Sequence, residues 1–226
     1  GSLTTTQDFT VNVNNLNDAP TLVNAIADQS MNEDSALSFT IPADAFNDED
    51  GDTLTYTATL SDGSALPSWL SFDAATQTFS GTPLNGDVGS ITVEVTATDT
   101  AGLAVNDTFT ITVANTNDAP TAIALSATAI NENAAGAVVG TLSTSDVDVG
   151  DSHTYTLSGT DAESFEVVNG ELKLKGSADY ETKNSYSVTV TATDAAGAVV
   201  AQSFAITVTD INETPTAIAL SATAID

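Results

Sequence analysis

The chain has 226 residues, enough for one large or two ordinary domains with real cores. Its 31 Asp and Glu stand against three Lys and a single His, a formal net charge of −28, while 41% of its residues are hydrophobic. Such a chain folds rather than behaving as an acidic tail, and its surface repels phosphate backbones and anionic lipid, so no nucleic acid and no membrane contact is expected, and cations are the natural partner. No cysteine is present, which removes disulfides, thiolate metal sites and a Cys nucleophile. No apolar run approaches the roughly 18 residues of a membrane span.

Read in chain order, Gly1-Ser2 reads as a cloning scar, and "FTVNV" from Phe9 shows strand-like alternation, so residues 1–16 are expected to be the last strand of a preceding module. "NDAP" follows at 17–20 as a linker; it returns at 117–120, and "NETP" stands at 212–215, so the period is 100 residues from Asn17 to Asn117 and 95 from Asn117 to Asn212. Between the linkers, apolar residues alternate with Thr and Ser: Leu54, Tyr56, Ala58, Leu60; Ile91, Val93, Val95, Ala97; Tyr186, Val188, Val190, Ala192; Phe204, Ile206, Val208. Period two with β-branched polar residues outward predicts half-buried antiparallel strands. Asn169-Gly170, between "FEVV" and "ELKL", predicts a two-residue hairpin turn.

The fold class expected is therefore all-β, with two tandem Greek-key β-sandwiches of about seven strands each, spanning 21–116 and 121–211. "TAIALSATAI" from Thr121 recurs letter for letter from Thr216, so 216–226 is expected to open a following module.

The acids concentrate at the repeat boundaries. "NDEDGD" supplies Asp48, Asp50 and Asp52; "SDVDVGD" supplies Asp146, Asp148 and Asp151, with one residue inserted; Asp99 and Asp194 sit at matching places in two "ATD" stretches. Asn17-Asp18 and Asn117-Asp118 add linker oxygens. An all-oxygen set of carboxylates, amides and carbonyls suits Ca²⁺, whereas zinc would want His or Cys. Mere solvated surface charge is the competing reading, but it does not explain why the acids recur at matched positions in both modules and all three linkers.

These residues resemble the cadherin repeat family. The second module carries "NEN" with Glu132, "DVD" with Asp146 and Asp148, "DYE" with Asp179 and Glu181 where the family has Asp-Arg-Glu, "ATDAAG" with Asp194, and "DINET" with Asp210, Asn212 and Glu213. The first module is similar to the dystroglycan-type cadherin-like variant through "LPSWLSFDAATQTFSGTP" at 66–83, but 95 residues before Asp179 and Glu181 stand Leu84 and Gly86, which are no ligands. The resemblance implies calcium between the base of one module and the top of the next. It assigns Asn17, Asp18, Asp48, Asp50 and Asp99 to the first junction. To the middle junction it assigns Asn117, Asp118, Asp146, Asp148 and Asp194, with Glu33 of "MNEDS" as a further donor. Glu132, Asp179, Glu181, Asp210, Asn212 and Glu213 go to the third. Without the ion the four-residue linkers are expected to flex.

Other features take bland readings. His153 beside Ser152 and Asp151 suggests a hydrolytic triad, yet it is in phase with Tyr155 and Leu157 and falls 99 residues after Leu54, so it reads as strand filling. Catalysis would also need an oriented nucleophile and an oxyanion site, and acids that recur per module behave as ligands, so no enzyme is expected. Trp69 reads as core, with sugar stacking as the rival, and Tyr180 reads as surface. The functional expectation is a calcium-rigidified extender segment of a large bacterial cell-surface or secreted adhesin, extracellular and monomeric, whose partners are the adjacent modules of its own chain. The rival is a carbohydrate-binding or homotypic or heterotypic cadherin-like recognition module.

Overall fold

The computed structural model describes residues 1–215; the expected first strand of a following module, 216–226, lies outside the described residues. The chain divides into two units, residues 1–116 and 117–226. Residues 1–20 form no strand, and Phe9, Val11 and Val13, read as a strand end, are exposed.

The first unit contains β1 (Thr21–Leu22), β2 (Gln29–Asn32), β3 (Leu37–Thr40), β4 (Phe46–Asn47), β5 (Thr55–Leu60), β6 (Leu70–Asp73), β7 (Thr78–Gly81), β8 (Gly89–Thr98) and β9 (Ala104–Ala114). One sheet runs β2-β9-β8-β5 and faces another of order β3-β7-β6, with β1 and β4 paired separately. The second unit contains β10 (Ala122–Leu125), β11 (Ala129–Asn131), β12 (Val138–Ser145), β13 (Thr154–Ser158), β14 (Phe165–Val168), β15 (Glu171–Leu174), β16 (Ser185–Thr193) and β17 (Val199–Thr209). Its sheets are β10-β12-β15-β14 and β11-β17-β16-β13. The expected opening strand is broken in the second unit: β10 pairs antiparallel with β12, then β11 crosses to pair parallel with β17 in the other sheet. A crossing strand closes both sheets over one core.

The alternation read from the sequence is the alternation of burial. Val93, Val95 and Ala97 of β8 and Val188, Val190 and Ala192 of β16 are fully buried, while Glu94, Thr96, Thr189 and Thr191 between them are only partly covered. The first core is aromatic, with Phe79 tilted against Phe72 (4.5 Å between centroids) and edge-on to Phe109 (5.5 Å). In the second core, Phe165 meets Tyr186 edge-on at 5.4 Å. Asn169 and Gly170 both take positive φ (51° and 77°) and join β14 to β15 with Val168 opposite Glu171, the predicted tight hairpin. Gly81 has a different reason to be glycine: a Cβ there would stand 1.9 Å from the Trp69 carbonyl oxygen. Trp69 itself is half-buried and packs against the first core, as does Tyr180 against the second. Tyr180 is thus a packing residue, contrary to its reading as surface; a phenol ring with one apolar face gains by lying on a core edge.

Candidate metal centres

Each unit presents acids at both ends, and the backbone register makes the ends comparable. Thr55 opposes Thr98 and Thr154 opposes Thr193, so Leu54 and His153 precede equivalent strands while Asp99 and Asp194 follow equivalent partners. Both Asp99 (5% exposed) and Asp194 (6%) are buried. In each, Oδ1 accepts from the backbone of the turn that follows, from Ala101 and Leu103 N–H at 2.9 and 2.8 Å for Asp99 and from Ala198 N–H at 2.7 Å for Asp194. The second oxygen accepts the linker amide, Asn17 Nδ2 at 2.9 Å and Asn117 Nδ2 at 2.9 Å. Those side-chain amides, then the backbone donors, hold both carboxyls below the usual carboxylate range against the effect of burial.

The rest of the linker repeats too. Asp18 N–H donates to Asp50 Oδ2 at 2.6 Å and Asp118 N–H to Asp148 Oδ2 at 2.7 Å, while Pro20 and Pro120 are buried. The Asp18 backbone bond and a second bond from the Asn15 amide lower the Asp50 carboxyl. Asp48, Asp52 and Asp99 each place one oxygen so that the three lie within 4.8 Å of one another. Asp52 was absent from the expected ligands; the signal was the third acid of "NDEDGD". Asp50, which was expected to join Asp48 and Asp99, instead turns both oxygens to the linker side.

In the second unit the matching trio is Asp146, Asp151 and His153. His153 corrects its reading as strand filling. It stands one residue before β13, and its Nε2 lies 2.9 Å from Asp146 Oδ2, with the two side chains 10% and 5% exposed. This bond is the foremost cause that lowers the Asp146 carboxyl.

The opposite ends repeat around Glu33 and Glu132, 1% and 2% exposed. Glu33 N–H reaches Ala114 O and its Oε1 accepts Thr116 N–H at 2.8 Å; Glu132 N–H reaches Thr209 O and its Oε1 accepts Ile211 N–H at 2.6 Å. Asp34 N–H bonds Pro83 O as Asn133 N–H bonds Ala178 O, so Leu84 does occupy the place of Asp179. Leu84 is 61% exposed and offers no oxygen. Around Glu132, Oε2 accepts Tyr180 N–H at 2.9 Å, and Asp179 and Glu181 bring an oxygen each within 4.8 Å of it and of one another. Glu181 has a backbone bond that favours its anion, yet desolvation and the charges of Glu132, Glu213 and Asp210 raise its carboxyl. Asp210, Asn212 and Glu213 are exposed, and Glu213 accepts from the Asn133 amide at 2.7 Å.

The donor set suits a hard cation. Asp48 Oδ2, Glu33 Oε2 and Asp151 Oδ2 are buried and have no hydrogen-bond partner, and an orphaned carboxylate oxygen costs about 1–3 kcal/mol or more unless a donor or ion satisfies it. The Asp48–Asp52–Asp99 and Glu132–Asp179–Glu181 trios are carboxylates converging with no nitrogen or sulfur donor, which match the ligands of calcium; the Asp146–Asp151 pair has the His153 imidazole beside it.

Residues 19–114 match the putative Ig domain family and residues 126–209 the cadherin domain family. The chain thus matches, in order along its length, a putative Ig domain and a cadherin domain. Over 105 residues, 46% of the chain, it is 39% identical to the serine-rich adhesin for platelets of Staphylococcus aureus in strains USA300 and NCTC 8325; that stretch is 4% of the adhesin's length. Among solved structures, the protocadherin gamma B4 extracellular domain superposes with a TM-score of 0.65 at 20% identity, over 88% of this chain and 34% of that one. Human protocadherin-24 EC1-2 gives 0.60 at 22% identity, over 87% of this chain and 100% of that one. Drosophila N-cadherin EC1-4 gives 0.61 at 17%, over 86% and 50%. These likenesses show the fold. Among the described residues of the Ig and cadherin domains, no helix is long and apolar enough to cross a membrane.

Proposed function

We propose that this chain is an extender segment of a bacterial cell-surface adhesin, in which calcium held at module junctions limits hinge motion and aligns successive modules. The observation that carries the reading is the repeated linker-and-acid arrangement in both domains, with a buried, unpartnered Asp48 oxygen among converging carboxylates. The first junction would draw on Asn17, Asp18, Asp48, Asp50, Asp52 and Asp99. The middle one would draw on Glu33, Asn117, Asp118, Asp146, Asp148 and Asp194, and the third on Glu132, Asp179, Glu181, Asp210, Asn212 and Glu213. Calcium supplies charge neutralisation there; the chain supplies the placement of the oxygens. Similarity to a stretch of a staphylococcal adhesin supports an extracellular, cell-surface setting, with the neighbouring modules as partners.

Extracellular calcium modules bind with dissociation constants of about 10⁻⁴ to 10⁻³ M, so millimolar calcium adds on the order of 1–3 kcal/mol per junction. The test is a calcium titration followed by anomalous scattering from crystals, which counts and places the ions. Ions at the named oxygens support the reading; their absence in ample calcium overturns it.

A second reading, carbohydrate binding, has one favourable observation. Asn47, Tyr56 and Gln77 line a shallow depression that also includes Asp48 and Asp52, a combination of one partly exposed aromatic residue and several oxygens that suits a sugar hydroxyl pair bridged by calcium. Calcium-dependent binding on a glycan array, lost in Tyr56→Ala, would favour this reading over the extender.

A further inference from the structure

One carboxylate oxygen is treated in opposite ways by the two domains. Asp48 and Asp146 occupy the same position, and in each the Oδ1 atom accepts the N–H two residues on, from Asp50 at 2.9 Å and from Asp148 at 3.1 Å. Their Oδ2 atoms then diverge. Asp48 Oδ2 is buried without a partner, whereas Asp146 Oδ2 is met by His153 Nε2 at 2.9 Å. Besides the residue inserted before Asp151, the repeats differ at one facing position: Leu54 in the first domain and His153 in the second each stand immediately before the edge strand of the same sheet. Leu54 can only pack against the first core, while an imidazole at that place reaches the acid.

An ionised carboxylate only accepts, so the imidazole must donate. A donor and a cation satisfy the same requirement of a buried carboxylate oxygen, and both need its lone pairs. Imidazole nitrogen is also a poor ligand for calcium, which takes oxygen. His153 Nε2 lies within the 4.8 Å trio it forms with Asp146 and Asp151, and so stands in the space where a further oxygen donor would serve an ion.

We infer that His153 is the residue that sets the two calcium sites apart: it fills, as a hydrogen-bond donor, the role that the chain leaves open to a cation at Asp48. The inference rests on the calcium reading above. It makes the second domain's Asp146 site the weaker of the two, with Asp151 Oδ2 the buried oxygen of that trio still left to an ion. A charge-assisted hydrogen bond that must be shared or given up corresponds to roughly a tenfold difference in affinity.

The experiment uses the full chain and calcium chloride. Calorimetric titrations compare wild type with His153→Leu, which copies the first domain, with Leu54→His, the reciprocal change, and with His153→Gln, whose amide can still donate. An Asp48→Ala background isolates the second site. Expected are about tenfold tighter binding at the Asp146 site in His153→Leu, about tenfold weaker binding at the Asp48 site in Leu54→His, and near wild-type affinity in His153→Gln. Because the chain holds one histidine, its ring ¹⁵N signals in the wild type give a readout that needs no variant, and they should shift as the weaker site fills. Unchanged or weaker binding in His153→Leu, or ring signals that ignore calcium, overturns the role of His153 and leaves the calcium reading in place. If wild type and all variants fail to bind calcium, both fall.

Discussion

The side-chain amide of Asn117 donates to Asp194 Oδ2 at 2.9 Å and also reaches the Asp118 carbonyl at 2.8 Å, and Asn17 repeats both bonds on Asp99 and on Asp18. The linker asparagines are thereby fastened to the domain that follows them. Thr116, one residue earlier, is bonded to Glu33 of the domain that precedes it. These bonds leave the linker fewer free residues than four unattached ones would have.

Asn117→Ala should loosen this fastening without touching either core. Hydrogen exchange at the Asp118 amide in chelator should quicken about tenfold, the equivalent of one charge-assisted hydrogen bond. Asn117→Asp would place two carboxylates together and should be worse in chelator yet recover in calcium. Exchange that does not change in Asn117→Ala would show that the bond is not holding the linker.

Calcium removal should lower the melting temperature of the whole chain. A loss of 1–3 kcal/mol per junction converts to about 3–10 °C for a chain of this size. Asp146→Ala with Asp148→Ala should abolish the part that the second domain contributes, and small-angle scattering should lose its calcium response. Melting curves that superpose with and without chelator would refute the assignment.

Glu132 makes a prediction that is independent of any ion. Its two oxygens accept Tyr180 N–H at 2.9 Å and Ile211 N–H at 2.6 Å in a place that is 2% exposed. Glu132→Ala leaves both donors unsatisfied and should cost about 3 kcal/mol in chelator, measured by urea unfolding. Glu132→Gln keeps one acceptor and should cost less. Equal losses in the two variants would mean that packing, not hydrogen bonding, is what the side chain supplies.

Gly81 tests the backbone. A Cβ there meets the Trp69 carbonyl oxygen at 1.9 Å, so Gly81→Ala must push β6 from β7 and should cost about 3 kcal/mol or more. Gly86→Ala is the control, since nothing lies within 4 Å of its Cβ, and it should stay within about 0.5 kcal/mol of wild type.

Much of this was legible in the sequence because the signals were periodic. The alternation of Val93, Val95 and Ala97 forces one face inward, and Asn169-Gly170 dictates its own turn. The offset that aligned Asp179 with Leu84 is the one drawn by the backbone bonds of Asn133 and Asp34. What escaped depends on where a side chain reaches after the strand ends. Strand phase puts His153 with Leu54, which is correct, but it cannot say that an imidazole there spans to Asp146. Nor could spacing tell that Asp50 faces the linker while Asp52 turns toward Asp48 and Asp99. Tyr180 was misjudged because a substitution in a ligand motif was read as solvent-facing, when the ring had a core edge to cover.

Acid stability offers the last test, at a pair away from the proposed ligands. Asp161 accepts Lys183 Nζ and, at 2.7 Å, the backbone N–H of Ser187, and these bonds, the lysine's first, hold its carboxyl below the usual range. Lys183 also lies 4.8 Å from the centre of the Tyr186 ring, so the cation is doubly held. A carboxyl whose folded pKa is depressed stabilises the fold at every pH above its unfolded value near 3.9, and that contribution disappears as pH falls through the lower folded value. Lys183→Met removes the main cause of the shift while keeping the side chain's length. The variant should therefore be less stable than wild type at pH 7 in chelator. The two should converge as pH falls through the depressed folded value, where Asp161 becomes protonated in both. A stability difference that persists undiminished through that acid range would place the role of Lys183 in its packing on Tyr186 rather than in its charge.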